Sequence, residues 1–196
     1  MRLFVAIVLP PAVVAELDDA VAPLRPARPD LRWTGPDAWH VTLAFLGEVP
    51  AEILPDLHVR LDRAGRRHPA LELAVRGGGA FPGASRARVL WAGIQADTRP
   101  LGALAASVAA GARRAGAPPP DEGRRYRPHI TLARLREPAD VSSLTARLAD
   151  LAGTSWTARD IYLIRSHPVP GGRPRYETVA SWPLRPAATA GRPAAG

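Results

Sequence analysis

The 196-residue chain has no cysteine and no lysine, and it carries 1 Met, 3 Tyr and 3 Phe. Without cysteine there are no disulfides, thiolate metal ligands, iron–sulfur clusters or sulfur nucleophiles. Without lysine there is no covalent lysine–nucleotide intermediate of the kind that activated-end ligases form. Long apolar runs are missing as well, since nothing approaches the roughly 20 residues of a membrane-spanning helix. The nearest thing to a signal peptide, Leu3 to Leu9, follows a lone Arg2 and stops at Pro10-Pro11. An acidic stretch comes next rather than a small-residue cleavage site. The segment therefore reads as a buried strand, and the protein as soluble, cytoplasmic and without a membrane partner. Whatever chemistry the chain performs falls to His, carboxylates, Ser/Thr, Tyr or Arg.

What is present is arginine. All 26 basic residues are Arg, against 18 acidic ones, giving a formal net charge of +8. That excess suits a polyanionic partner, because guanidinium forks pair with phosphate oxygens. A bias of the source toward Arg, Ala and Pro would produce the same choice of Arg over Lys, so only the sign of the charge carries meaning. The 46% hydrophobic and 22% charged composition is that of a globular chain.

The four-residue string His-x-Thr-Leu occurs twice, as His40–Leu43 and His129–Leu132. With 5 His in 196 residues, and Thr and Leu at their frequencies here, composition predicts about 0.03 copies. The surroundings repeat too. Apolar strands Leu3–Ile7 and Leu90–Ile94 precede the two histidines by similar intervals. Each is followed by a helical stripe: Val14, Leu17, Val21 and Leu24 in one half, Leu101, Leu104 and Val108 in the other. After each His strand comes a second helix, marked by Leu54, Leu57 and Leu61 and by Val141, Leu144, Leu148 and Leu151, and then strands Leu71–Val75 and Ile161–Ile164. A last strand lies near Tyr176–Val179, the Gly77–Gly79 run and the stretch from Ala117 read as loops, and 185–196 reads as a solvated tail. We expect an α+β fold in which 1–184 form one bilobal domain. It has two pseudo-symmetric lobes, each an antiparallel sheet with helices on its outer face, around a central cleft.

On a strand, residues i and i+2 share a face. His40 pairs with Thr42 and His129 with Thr131, and Ala44 and Ala133 extend those faces at i+4. Two such pairs meeting across a cleft suit in-line displacement at phosphorus. One imidazole takes a proton from the attacking oxygen, the other gives one to the leaving oxygen, and hydroxyls hold the non-bridging oxygens. No metal or other cofactor is required. Arg134, five residues after His129, faces away by parity unless the strand ends or bulges first. Phe45, Tyr126 and Trp39 are candidates for stacking on a base, and Arg124, Arg125 and Arg127 for steering phosphates. His58, His68 and His167 read as structural or solvent-exposed.

The strings RLFVAIVLP, HVTLAFLGEVP, FPGASRARVLWAGI and RRYRPHITLAR resemble those of the 2H phosphoesterase superfamily. Its RNA 2′,3′-cyclic phosphodiesterase (2′-5′ RNA ligase-like) branch is the most similar, and the resemblance runs from Arg2 to about Leu184. It implies hydrolysis of a ribose 2′,3′-cyclic phosphate to a 2′-phosphate. His40 would be proton donor, His129 proton acceptor, and Thr42, Thr131 and Arg134 phosphate ligands. The partners would be RNA 3′ ends or small cyclic-phosphate nucleotides, acted on by a monomer. Two other readings stay open: reversible 2′-5′ joining of RNA ends, and a nucleotide- or RNA-binding module without turnover.

Overall fold

A computed structural model describes residues 1–117, 126–170 and 172–186 of the chain. The apolar run Leu3–Ile7 forms the middle of β1 (Arg2–Val8), and all five side chains are buried. Strand β1 lies between β3 (His40–Glu48) and β8 (Asp160–His167), and β9 (Arg175–Pro183) flanks β8. Both faces of β1 are covered, which is why its sequence is a continuous apolar run rather than an alternation. The second sheet has the order β2 (Arg32–Trp33), β6 (His129–Ala139), β5 (Ala87–Ala96), β4 (Leu71–Phe81) and β7 (Trp156–Ala158). Every pairing between these strands is antiparallel.

The helices are α1 (Pro11–Val21), α2 (Leu54–Arg67), α3 (Thr98–Arg114) and α4 (Ser142–Leu148). Leu57 and Leu61 on α2, and Leu101, Leu104 and Val108 on α3, are buried as their spacing predicts. Helices α2 and α3 pack on each other and on the first sheet, while α4 packs on β4. Pro11 and Pro55 sit in first turns, where a missing N–H costs nothing. No helix among the described residues is long and apolar enough to cross a membrane.

The α+β architecture of two antiparallel sheets is therefore as expected, but the lobes are not the two halves of the chain. Strands β1 and β3 of the first half and β5, β6 and β7 of the second stay in their own motif's sheet, while β2 and β4 cross to the second sheet and β8 and β9 to the first. Strand β4 leaves the first half to pair with β5, and β8 leaves the second half to pair with β1. The short connection 82–86 makes β4 and β5 a hairpin, and sequential strands joined so closely pair with each other.

Three local expectations change. On α1 the buried face runs through Val13, Leu17 and Val21, with Val14 beside it and only partly buried. Leu151 is likewise only partly buried, after the end of α4. The Gly77–Gly79 run is not a loop; it lies inside β4, where the register shifts between Val75 and Gly78 and Gly77 takes a positive φ of 63°. Of the segment from Ala117, residues 118–125 lie outside the described residues, as do 187–196 of the expected tail. Arg185 is tied down, donating its N–H to the His68 carbonyl and accepting from the Ala70 N–H, both at 2.8 Å.

Gly79 matters for the site because the Trp91 indole lies on it. A Cβ at Gly79 would stand 2.4 Å from Trp91 Cζ2. We therefore expect Gly79→Ala to destabilise the protein by about 1–3 kcal/mol, since a large ring must shift in packed surroundings. Urea unfolding of the variant against wild type measures this.

Candidate active site

The two motifs begin β3 and β6 and carry the same irregularity. Along β1–β3, Ala6 opposes Thr42 and Val5 opposes Ala44, so Leu43 is an extra residue. Along β5–β6, Trp91 opposes Thr131 and Leu90 opposes Ala133, so Leu132 is extra. Both are β-bulges, which put two residues of one strand opposite one of its partner. Leu43 and Ala44 are consequently both buried, and so are Leu132 and Ala133. This corrects the expected place of Ala44 and Ala133, which lie on the core side rather than beside His and Thr. Beyond each bulge the parity is reversed. Phe45 and Arg134, both at i+5, are exposed, as the unburied His and Thr faces continue past the bulge.

His40 is enclosed by aromatic rings. Its centroid lies 4.6 Å from Phe4 and 5.3 Å from Tyr176, the latter edge-on. Phe4, Ala6 and Ile164, with Tyr162 and Tyr176 against them, form a second apolar cluster separate from the main core. Burial pushes the His40 imidazole down to about 4; a hydrogen bond with the Ala38 backbone opposes this, and the charges of Arg134 and His129 add to it. His129 lies edge-on to Phe81 at 5.0 Å and 6.3 Å from Trp91. Its pKa is also lowered, by burial first and by Arg134 as well, against a hydrogen bond with Arg127. Nδ1 of His129 donates to the Arg127 carbonyl at 2.7 Å, which leaves Nε2 as the free nitrogen. In each motif the backbone of the residue at i−2 engages the imidazole.

Arg134 acts electrically on His40, His129 and Tyr176 alike, so all three lie within reach of its charge. Among the described residues no carboxylate contributes to the shift of either motif histidine. The two motif strands thus present two largely neutral imidazoles, two threonines and one arginine, a set of side chains whose chemistry suits an anion. Among the described residues no group of three or more His, Asp or Glu is placed to hold a metal ion.

The stacking candidates divide. Phe45 is 58% exposed and 6.1 Å from Phe4, so its ring is open to solvent. Trp39 is 4% exposed within the main core, so its ring has no free face. Tyr126 is partly buried against the same core, and its hydroxyl donates to the Thr42 carbonyl at 3.1 Å. Arg127 is exposed, with its guanidinium 5.9 Å from the centre of the Phe81 ring; Arg124 and Arg125 lie outside the described residues. His58 packs edge-on to Trp182, His68 bonds Ser107 at 2.8 Å and His167 bonds Glu177 at 2.7 Å. Sequence reasoning missed Phe4 and Tyr176. Phe4 sits in a run apolar on both faces, which gives no sign of which face meets the site.

The lowered His40 pKa has a consequence for stability. The unfolded chain binds this proton near pH 6.5, the folded one only near pH 4. Stability from a neutral His40 is thus fully present above 6.5 and is lost as pH falls toward 4. The loss amounts to about 3 kcal/mol at roughly 1.4 kcal/mol per unit. Chemical denaturation across pH 4–7 should show His40→Gln losing less stability over that range than wild type, by that amount.

A family model described as the 2′-5′ RNA ligase superfamily matches residues 9–169. The RNA 2′,3′-cyclic phosphodiesterase of Thermus thermophilus is 34% identical over 187 residues, 94% of this chain and 91% of that protein. The Escherichia coli protein of the same name is 32% identical over 187 residues, covering 93% and 96%. Among solved structures, TT0787 of Thermus thermophilus superposes with a TM-score of 0.78 at 34% identity, over 96% of this chain and 100% of that one. E. coli LigT complexed with 3′-AMP gives 0.72 at 30% identity, over 93% and 97%. With two bulged His-x-Thr strands in two antiparallel sheets, the chain belongs to the 2′-5′ RNA ligase superfamily of 2H phosphoesterases.

Proposed function

We propose that this protein hydrolyses RNA 2′,3′-cyclic phosphate ends to 2′-phosphomonoesters, with His129 as base and His40 as acid. The observation that carries the reading is the pair of matched bulged strands, with His40, Thr42 and Phe45 on one and His129, Thr131 and Arg134 on the other. Nε2 of His129 takes a proton from water as its oxygen bonds to phosphorus. The P–O3′ bond breaks, and His40 gives its proton to the departing 3′ oxygen. Thr42, Thr131 and Arg134 hold the non-bridging oxygens, where charge gathers in the transition state.

Phe45 favours this assignment of roles over its reverse. A base stacked on Phe45 puts the ribose, and with it the leaving oxygen, on the His40 side. Water then attacks in line from the side of His129. The low pKa of His40 suits a proton taken up together with the substrate. The anion entering between the imidazoles supplies negative charge that no described carboxylate supplies to either ring. Water at about 55 M favours hydrolysis over joining of RNA ends. RNA 3′ ends and small cyclic-phosphate nucleotides fit this site, and residues 1–184 acting as one bilobal monomeric unit suffice for it.

A short RNA ending in a 2′,3′-cyclic phosphate should be hydrolysed in the presence of EDTA. His40→Ala and His129→Ala should each lower kcat by about 10²-fold or more. Wild-type hydrolysis that either variant leaves intact would overturn the reading. The profile of kcat/KM should be bell-shaped with both limbs below pH 6.5, because both free imidazoles titrate below their ordinary value. The kcat profile should peak at higher pH, where the bound anion supports the imidazolium. A kcat/KM optimum above pH 7 would contradict the electrostatic account.

A further inference from the structure

Beside each bulge the main-chain carbonyl of the motif threonine accepts a hydroxyl from the other half of the chain. Thr34, which follows β2 in the first half, donates its Oγ1 to the Thr131 carbonyl at 2.8 Å. Its N–H donates to the adjacent Leu132 carbonyl, also at 2.8 Å. One residue thus holds both carbonyls at the bulge of β6. Tyr126, three residues before His129 in the second half, donates its hydroxyl to the Thr42 carbonyl at 3.1 Å on β3. Burial raises the Tyr126 pKa, so this hydroxyl stays protonated and remains a donor.

The geometry points to Thr34 and Tyr126 as reciprocal positioning residues: each half of the chain sets the phosphate-binding threonine of the other half. The inference rests on the phosphodiesterase reading above. A bulge is the softest point of a strand, because its extra residue has no opposing partner in the ladder. A threonine next to it can swing its hydroxyl by a fraction of an ångström unless the carbonyl is held. Neither clamp touches the substrate. Each acts through the backbone of a motif threonine, so its loss should be felt where non-bridging charge develops rather than in substrate binding. Misplacement of a catalytic donor by about 1 Å can cost 10²-fold in rate, and a softened clamp allows part of that. The crossed arrangement also makes the site sensitive to how the two sheets sit on each other, since β3 answers to the segment before β6, and β6 to the segment after β2.

The test uses variants that delete one hydroxyl and little else. Thr34→Val keeps the shape and the N–H, Thr34→Ser keeps the hydroxyl, and Tyr126→Phe removes a single oxygen. Thr34→Val and Tyr126→Phe should each lower kcat about tenfold on a cyclic-phosphate RNA with KM within twofold, while Thr34→Ser stays within twofold of wild type. Affinity for a uridine–vanadate complex, a five-coordinate mimic of the transition state, should fall about tenfold in the same two variants. Affinity for 2′-AMP should stay within twofold. Unchanged kcat and vanadate affinity, with or without a lower melting temperature, would make the clamps ordinary structural hydrogen bonds and overturn the proposal. A rise in KM alone would overturn it in favour of substrate contact. A wild type that binds vanadate without turning over RNA would fail the phosphodiesterase reading, yet the vanadate series would still decide the clamps. A wild type that does neither would refute both.

Discussion

An extra residue in an antiparallel strand has to be absorbed, and where it is absorbed decides which side chains share a face. In this protein Leu43 and Leu132 are those residues, at the same point of two equivalent strands. Each bulge buries two consecutive side chains on the core side and reverses the alternation beyond it. A flat strand would hide Arg134 and Phe45 from the imidazoles and would bring Ala44 and Ala133 to face them. The bulged strand does the opposite. The side chains that the two strands present together, two imidazoles, two hydroxyls, a guanidinium and an exposed ring, depend on that single-residue slip made twice.

The rest of the fold holds those two strands against each other. Exchange of β4 and β8 makes each sheet a composite of both halves, so neither motif sits in an element that its own half could complete. The crossed hydroxyls of Thr34 and Tyr126 repeat this interdependence at the scale of single carbonyls. Around the imidazoles, Phe4 and Tyr176 on one side and Phe81 and Trp91 on the other exclude water and keep both rings neutral. Arg134 biases them in the same direction. Among the described residues the only charged side chain that shifts both rings is thus a cation.

Much of this was legible in the residues. The doubled His-x-Thr-Leu, the apolar runs and the helical stripes led to two antiparallel sheets with covering helices, and Leu57, Leu61, Leu101, Leu104 and Val108 are buried as their spacing requires. Strand parity raised the question of Arg134 correctly but could not answer it, because a bulge leaves no mark on a sequence whose next residues, Leu and Ala, are apolar either way. Three glycines in a row read as a loop, whereas Gly79 is needed inside a strand where the Trp91 ring lies. The exchange of strands was hidden for another reason. Periodicity shows what an element is, and only a short connection such as 82–86 shows what it pairs with. Trp39, a stacking candidate, directly precedes β3, and adjacent extended positions face opposite sides, so its ring lies in the core while His40 faces the site.

The central claim is that His40 and His129 face one phosphate from two sides. It is tested most directly by following the ring nitrogens of all five histidines by nitrogen-15 NMR while inorganic phosphate is added. The account predicts that the His40 and His129 signals move together along one saturation curve with a stoichiometry of one, while His58, His68 and His167 stay still. Movement of only one motif histidine, or separate saturation of the two, would contradict it.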